Sequence, residues 1–467
     1  MKRIVLAGLA VCSLTAAAIA QERARSPVRL PNPAAPERSP LQQPPVPAPQ
    51  TRRAAGSADT TTLPPRYGLL GNFGGVRDLL WEHGVLVNMA YEYQAATNLQ
   101  GGVRGPLLRG AGQFSARAAF DFQRMLGLEG ATGSMTITNR QGRDVTVDAR
   151  LGTQTSVEEI FGRGRIWRLT QFWYDQQFGP WVDLKLGRQH LGEDFGAFPC
   201  EFQMLALCAS QPGKVAGTYW FNYPVSQWMT RLRIRVPDVA YFQVGAFQVN
   251  PDNLVDGFSF DFSRGTGALL VSEVGLLPKI GALGLSGQYK IGAWYETGGG
   301  NDVLLNGDGR PRILFGGLPL QRDNRNGLYF VGVQELYRPD PSNSTRSLSA
   351  FVRLAYTDEA TAIYSAQETA GFVYKGFWKE RANDWIGFGF GQTIANPRRV
   401  ESLILANAFL GAANEIPTQE RFLEAFYSIA VNPDIVVRPN IQYINRPSGT
   451  TVRPDVVVFG VKSAVNF

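Results

Sequence analysis

Arg231, Arg233 and Arg235 stand two residues apart in the stretch Trp228 to Val236. In an extended strand this spacing puts three guanidinium groups on one face and Trp228, Leu232, Ile234 and Val236 on the other. A guanidinium is a planar, permanently charged fork of donors, suited to hydroxyl-rich solutes, carboxylates and phosphates. Further cations recur on the polar faces of other period-2 stretches: Arg117, Lys185, Lys290, Arg353 and Arg438. Glu92, Asp121, Asp183 and Glu424 supply acids on such faces. Arginines opposite carboxylates offer fixed donors and acceptors to a polyhydroxylated solute, and Phe422 and Phe426 are placed to stack on sugar rings. Two other readings compete. In one the charges only satisfy one another across water. In the other they filter anions, which the nearby acids argue against.

The elements that hold these residues are strands with one apolar and one polar face. The final stretch sets Phe467, Val465, Ser463, Val461, Phe459 and Val457 against Asn466, Ala464, Lys462 and Gly460. It ends on an aromatic residue, as the closing strand of a transmembrane barrel does; a buried strand of a soluble sheet is the competing reading. Earlier, Val85, Val87, Met89, Tyr91 and Tyr93 oppose Asn88, Glu92 and Gln94, and Val182, Leu184 and Leu186 oppose Asp183, Lys185 and Gln189. Ile386, Phe388 and Phe390 alternate with Gly387, Gly389 and Gly391. Residues 165–178 carry aromatics on both faces, and their direction is not assigned.

The connections decide between sandwich and barrel. Tight joints at Gly127–Gly130, Gly179-Pro180, Pro237-Asp238, Leu277–Gly281, Pro339–Ser344, Trp378–Asn383 and Pro433-Asp434 alternate with long loops near 98–110, 143–164, 191–225, 251–267, 297–326, 358–364, 395–419 and 446–453. An up-and-down barrel with short turns at one rim requires that alternation, and a Greek-key sandwich does not. The expected fold is all-β: a transmembrane up-and-down antiparallel β-barrel of about 16 strands over residues 66–467, opened by a short helix within 66–84. In such a wall the arginine ladder must face the lumen, because each guanidinium would cost ~2–4 kcal/mol at the lipid midplane.

The start of the chain directs it outward. Met1-Lys2-Arg3, an apolar run to about Leu14 and Ala16-Ala17-Ala18-Ile19-Ala20 read as a signal peptide over residues 1–20. Cys12 lies inside the apolar core without the small preceding residue of a lipoprotein signal. Residues 21–65, rich in Pro, Ala and Arg, read as a disordered periplasmic linker. The formal charge of +7 is largely an end effect: two positive charges from the signal and a net three from the linker leave +2 for residues 66–467. That argues against a nucleic-acid surface. No apolar run after the signal approaches the roughly 18 residues of a spanning helix.

Cys200 and Cys208 fall in the longest loop, where an oxidising compartment predicts a disulfide that stiffens a constriction. His83 and His190 are the only histidines, so no metal site is expected. Gly298 to Asp302 resembles a single calcium-binding nonapeptide, which needs stacked repeats to work. Asn343-Ser344-Thr345 reads as a turn, and no nucleophile-elbow, phosphate-loop or zinc-protease motif occurs.

Several motifs in order resemble the OprB-type carbohydrate-selective porins of Gram-negative outer membranes. They are Gly74 to Leu80 with Gly84; Asn98-Leu99-Gln100-Gly101-Gly102; Phe120-Asp121 before Gly127 to Gly130; and Leu186-Gly187-Arg188-Gln189 before Phe195. Then come Cys200-Glu201-Phe202-Gln203 with Cys208; Gly371 to Gly376 with Arg381 and Asp384 to Gly387; and Arg438 to Pro447. The linker lies outside the pattern, and Met204 stands where the family often has Asn. The resemblance implies a sixteen-stranded channel passing monosaccharides by facilitated diffusion, with basic and acidic side chains at its constriction. The expected protein is thus an outer-membrane channel for small sugars or polyols, not an enzyme, without cofactor. Its expected partners are outer-membrane lipid and, through the strand ending in Phe467, the barrel-assembly machinery; a homotrimer is an open assembly for it. The alternatives are a general or anion-selective porin and a secreted all-β carbohydrate-active enzyme.

Overall fold

The computed structural model describes residues 67–467; the expected signal peptide and linker lie outside the described residues. Sixteen strands form the wall. They are β1 (Val85–Gln100), β2 (Leu108–Asp121), β3 (Ala131–Gly142), β4 (Trp167–Phe178), β5 (Val182–Gln189), β6 (Gln227–Val236), β7 (Ala240–Val249) and β8 (Gly267–Leu276). The chain continues through β9 (Leu285–Glu296), β10 (Arg325–Tyr337), β11 (Ser347–Thr357), β12 (Tyr364–Lys375), β13 (Trp385–Ala395), β14 (Gln419–Asn432), β15 (Ile435–Asn445) and β16 (Val456–Asn466). Each strand pairs antiparallel with its neighbours, and β1 pairs with β16 through partners such as Tyr91 with Val465, so the sheet closes. Short turns and long loops alternate at the two rims as the sequence predicts.

The wall inverts the usual burial rule. Ile234, Phe242, Val274, Ile291, Leu328, Phe390 and Phe459 are exposed outward, while Gln94, Asp183, Lys185, Glu273, Arg353, Glu424 and Gln442 are buried inward. Alternation along each strand produces both surfaces at once. In β4 the alternation breaks. Thr136 pairs with Gln171 but Ile137 with Leu169, so Thr170 is an extra residue on β4. The bulge shifts the outward face from Trp167 to Phe172 and Tyr174, which explains why aromatics appear on both faces in the sequence.

A seven-residue helix, α1 (Val76–Glu82), precedes β1. Buried Arg77 donates to Phe467 O at 2.9 Å and Gly71 O at 2.8 Å, and Leu69 N donates to Asn466 O at 3.0 Å. These bonds fasten the segment across the seam between β1 and β16. At the long-loop rim, a hairpin (Gly300–Asn306 with Pro319–Arg322) and α2 (Pro397–Leu410) meet through Asp302, which accepts from Arg322 at 2.5 Å and Arg398 at 2.9 Å.

Candidate functional site

The interior is not an open tube. The loop between β5 and β6 leaves the wall at His190, crosses the lumen and returns at Ser226. Cys200 and Cys208 are joined within it by the expected disulfide. Phe195, Phe202, Met204, Leu207 and Trp220 of this loop form an apolar core with wall residues such as Phe247, Phe351 and Phe426. Phe202 lies against Phe351 and Phe426, with ring centroids 5.8 and 5.1 Å apart. Gly389 of β13 makes room for it: a Cβ there would lie 3.0 Å from both Phe202 and Leu207.

The wall charges singled out in the sequence hold this loop in two groups. On the near wall, Asp183 of β5 forms ion pairs with Arg231 at 2.5 Å and with Arg235, which brace the wall behind the loop. Lys185 meets Asp194 of the loop at 2.8 Å, and Arg233 meets it at 3.3 Å. Arg231 also approaches Asp175 at 3.2 Å and is only 1% exposed. Burial alone would raise the Asp194 carboxyl, but Lys185, Arg231 and Arg233 outweigh it and hold the group well below the usual carboxylate range.

On the far wall the partners are loop backbone. Glu424 accepts from Gln203 N at 2.8 Å and Met204 N at 2.7 Å. Lys290 donates to Ala197 O at 2.7 Å, Arg353 to Ala209 O at 2.8 Å and Ala206 O at 3.1 Å, and Arg438 to Glu201 O. Met204 thus takes part through its amide, for which the side chain at that position is immaterial. Glu92 is buried among the charges of Lys462, Glu159 and Arg140. Arg117 donates to Ser134 Oγ at 3.0 Å on the wall, and Asp121 caps the short helix Phe122–Leu126. Phe426 is packed beneath Phe202 and Arg438, and Phe422 is buried in the same core.

A second loop, between β3 and β4, also folds inward. Its Glu159 accepts from Gln94 and from Lys462, each at 3.0 Å, and Glu159 N donates to Gln203 O at 2.9 Å. Between the two loops lies a cavity of about 610 Å³ whose lining includes Arg140, Arg163, Lys214, Arg325, Glu159 and Tyr223. Arg325 stacks on lining residue Tyr219 at 4.1 Å and pairs with Glu296 at 2.7 Å. Arg140 donates to Gln113 at 2.7 Å and Arg163 to Gly217 O at 3.0 Å. The Lys214 ammonium has no hydrogen-bond or ion-pair partner among the described residues. The sequence reading missed this set. Arg140 sits on β3 in step with inward Thr136 and Thr138 and was open to the same alternation argument; Arg163, Lys214 and Tyr219 lie in loops, where no periodicity points inward.

Burial pushes the Lys214 ammonium down to about 7, aided by Arg353, Arg163 and Arg140 and opposed by Glu159. A lysine lowered to that value is charged below pH 7 and neutral above it. The reversal potential in a salt gradient is therefore expected to move toward anion preference from pH 8 to pH 6. Lys214→Met should reduce that pH dependence.

A closed antiparallel barrel with an apolar outer belt, a charged interior and loops folded across its lumen is the architecture of an outer-membrane porin. The chain belongs to the OprB family of carbohydrate-selective porins, whose family model matches residues 107–467. It is similar to Porin B of Pseudomonas aeruginosa, 37% identical over 409 residues that cover 84% of this chain and 90% of that one. It is also similar to the high-pH structure of Pseudomonas putida OprB, with a TM-score of 0.83, 34% identity and coverage of 87% of this chain and 99% of that one. The protein is accordingly a carbohydrate-selective channel of the Gram-negative outer membrane.

Proposed function

We propose that the channel passes monosaccharides or polyols passively and unchanged, and that it reads them in the cavity between the two in-folded loops. The observation that carries this is the lining itself. Arg140, Arg163, Arg325 and Lys214 present donors, Glu159 an acceptor, and Tyr223 an aromatic ring, around about 610 Å³. That volume lies within the range of about 300–1,000 Å³ usual for small-molecule sites. In this reading Arg231, Arg233, Arg235, Asp183, Lys185, Lys290, Arg353, Glu424 and Arg438 act on the sugar indirectly, by fixing the loop that carries Lys214 and Tyr219. Its partners are small sugars or polyols, the surrounding lipid and, during assembly, the barrel-assembly machinery that would read the strand ending in Phe467.

The test is sugar block of ion current. Lys214→Met removes a donor whose ammonium holds no part of the fold together, and is expected to weaken block by a hexose about tenfold, the value of one charge-assisted hydrogen bond. Unchanged block would overturn the assignment. The surplus of cations over Glu159 favours one second reading, a sugar acid or other small anion as the preferred solute. Stronger block by a sugar carboxylate than by the parent sugar would select it.

A further inference from the structure

A row of polar side chains crosses the outside of the barrel near the long-loop rim. Glu368, Gln392, Arg421 and Asn445 are register partners on the consecutive strands β12 to β15. Arg421 lies between inward Glu420 and Phe422, is exposed, and therefore points away from the lumen. Glu368 already accepts from Tyr356 at 2.6 Å and Gln392 at 2.8 Å. Asn445 donates to Asp455 at 3.0 Å. In this row the Arg421 side chain alone has no hydrogen-bond or ion-pair partner among the described residues.

Below the row the wall is apolar and notched. Ala370 pairs with Val352 on one side and Phe390 on the other, so a small side chain lies between large ones. With Leu354 and Leu423 these residues line an outward groove of about 610 Å³ that reaches Arg421 and Gln392 at its upper end. A guanidinium at the headgroup level above an apolar slot fits a lipid whose head is anionic and whose tail is an acyl chain.

We propose that this groove is a specific site for a phosphorylated, acylated glycolipid of the outer leaflet. Arg421 holds a phosphate, the amide of Gln392 faces the sugar head, and an acyl chain lies between Val352, Ala370, Phe390 and Leu423. The groove is continuous with the lipid-facing wall, and at its polar end the Arg421 guanidinium complements the phosphate, while the Glu368 carboxylate in the same lining is taken up by Tyr356 and Gln392. A second copy of the chain would instead need a partner for Arg421 within an apolar contact.

Native mass spectrometry of the detergent-solubilised full chain, titrated with bisphosphorylated lipid A, tests this. One tightly held lipid A per barrel is expected. Arg421→Ala should weaken its binding about tenfold or more, and Leu423→Trp, which fills the slot, should abolish it. Heat-modifiable migration shows that each variant is folded, and Arg117→Ala, away from the groove, should bind as the native protein does. Equal binding by all variants would overturn the site. Competition by free pyrophosphate as effective as by lipid would show a bare anion site and overturn the role of the groove. A change in oligomeric mass with lipid binding unaltered would show a subunit contact and overturn it as well.

Discussion

Arg231→Ala is expected to cost the barrel about 3–5 kcal/mol, the usual result of removing one member of a buried ion cluster. Arg231 reaches Asp175, Asp183 and Asp194 at 3.2, 2.5 and 3.7 Å and is almost wholly buried. Its removal leaves Asp183 with Arg235, and Asp194 with Lys185 and Arg233. Arg233 and Arg235 keep side-chain exposures of 12% and 14%, so water can compensate more of their loss. The three rungs of the ladder should therefore differ, with Arg231 the costliest. Read from the sequence as a filter, the ladder predicts altered conductance with folding intact; its buried partners predict a loss of stability at Arg231. Urea unfolding in lipid vesicles, with Arg117→Ala as a comparison away from the cluster, measures the difference. Native-like stability of Arg231→Ala would remove the structural role.

Glu424→Ala should produce the largest change in transport. The carboxylate accepts two loop amides, from Gln203 and Met204, and losing it leaves both donors buried without an acceptor. Each such donor costs about 1–3 kcal/mol, enough to detach this part of the loop from the wall. Single-channel conductance should rise, and sugar block should weaken by about tenfold or more. Glu424→Gln keeps one acceptor oxygen and should fall between. Barrel stability should drop less than in Arg231→Ala, because the freed amides can reach water in the lumen. Unchanged conductance in Glu424→Ala would show that the loop is held by its apolar core alone.

How much of this was legible follows from where each side chain sits. Strands report their two faces through a period of two, so the inward direction of Arg231, Arg233, Arg235, Asp183 and Lys185 could be read from alternation. The bulge at Thr170 defeated the same reading in β4, since one inserted residue reverses the faces. Alternation says that a side chain points inward but not what it meets there. Asp194, Gln203 and Ala206 come from a loop without periodicity, so the loop-holding role of Lys185, Glu424 and Arg353 could not be seen. Gly387, Gly389 and Gly391 did carry a trace of it: an inner face without side chains leaves room for something else, and Phe202 and Leu207 fill it at Gly389.

In the proposed function, two loops fixed by the wall charges leave an opening that selects by hydroxyl and ring contacts rather than by size. Liposome swelling with a panel of neutral solutes matched in mass tests it most directly. Monosaccharides should enter native-protein vesicles faster than matched solutes with few hydroxyls, and Lys214→Met should narrow that gap. Swelling rates that follow molecular mass alone, identical in the native protein and in Lys214→Met, would contradict selection by these contacts.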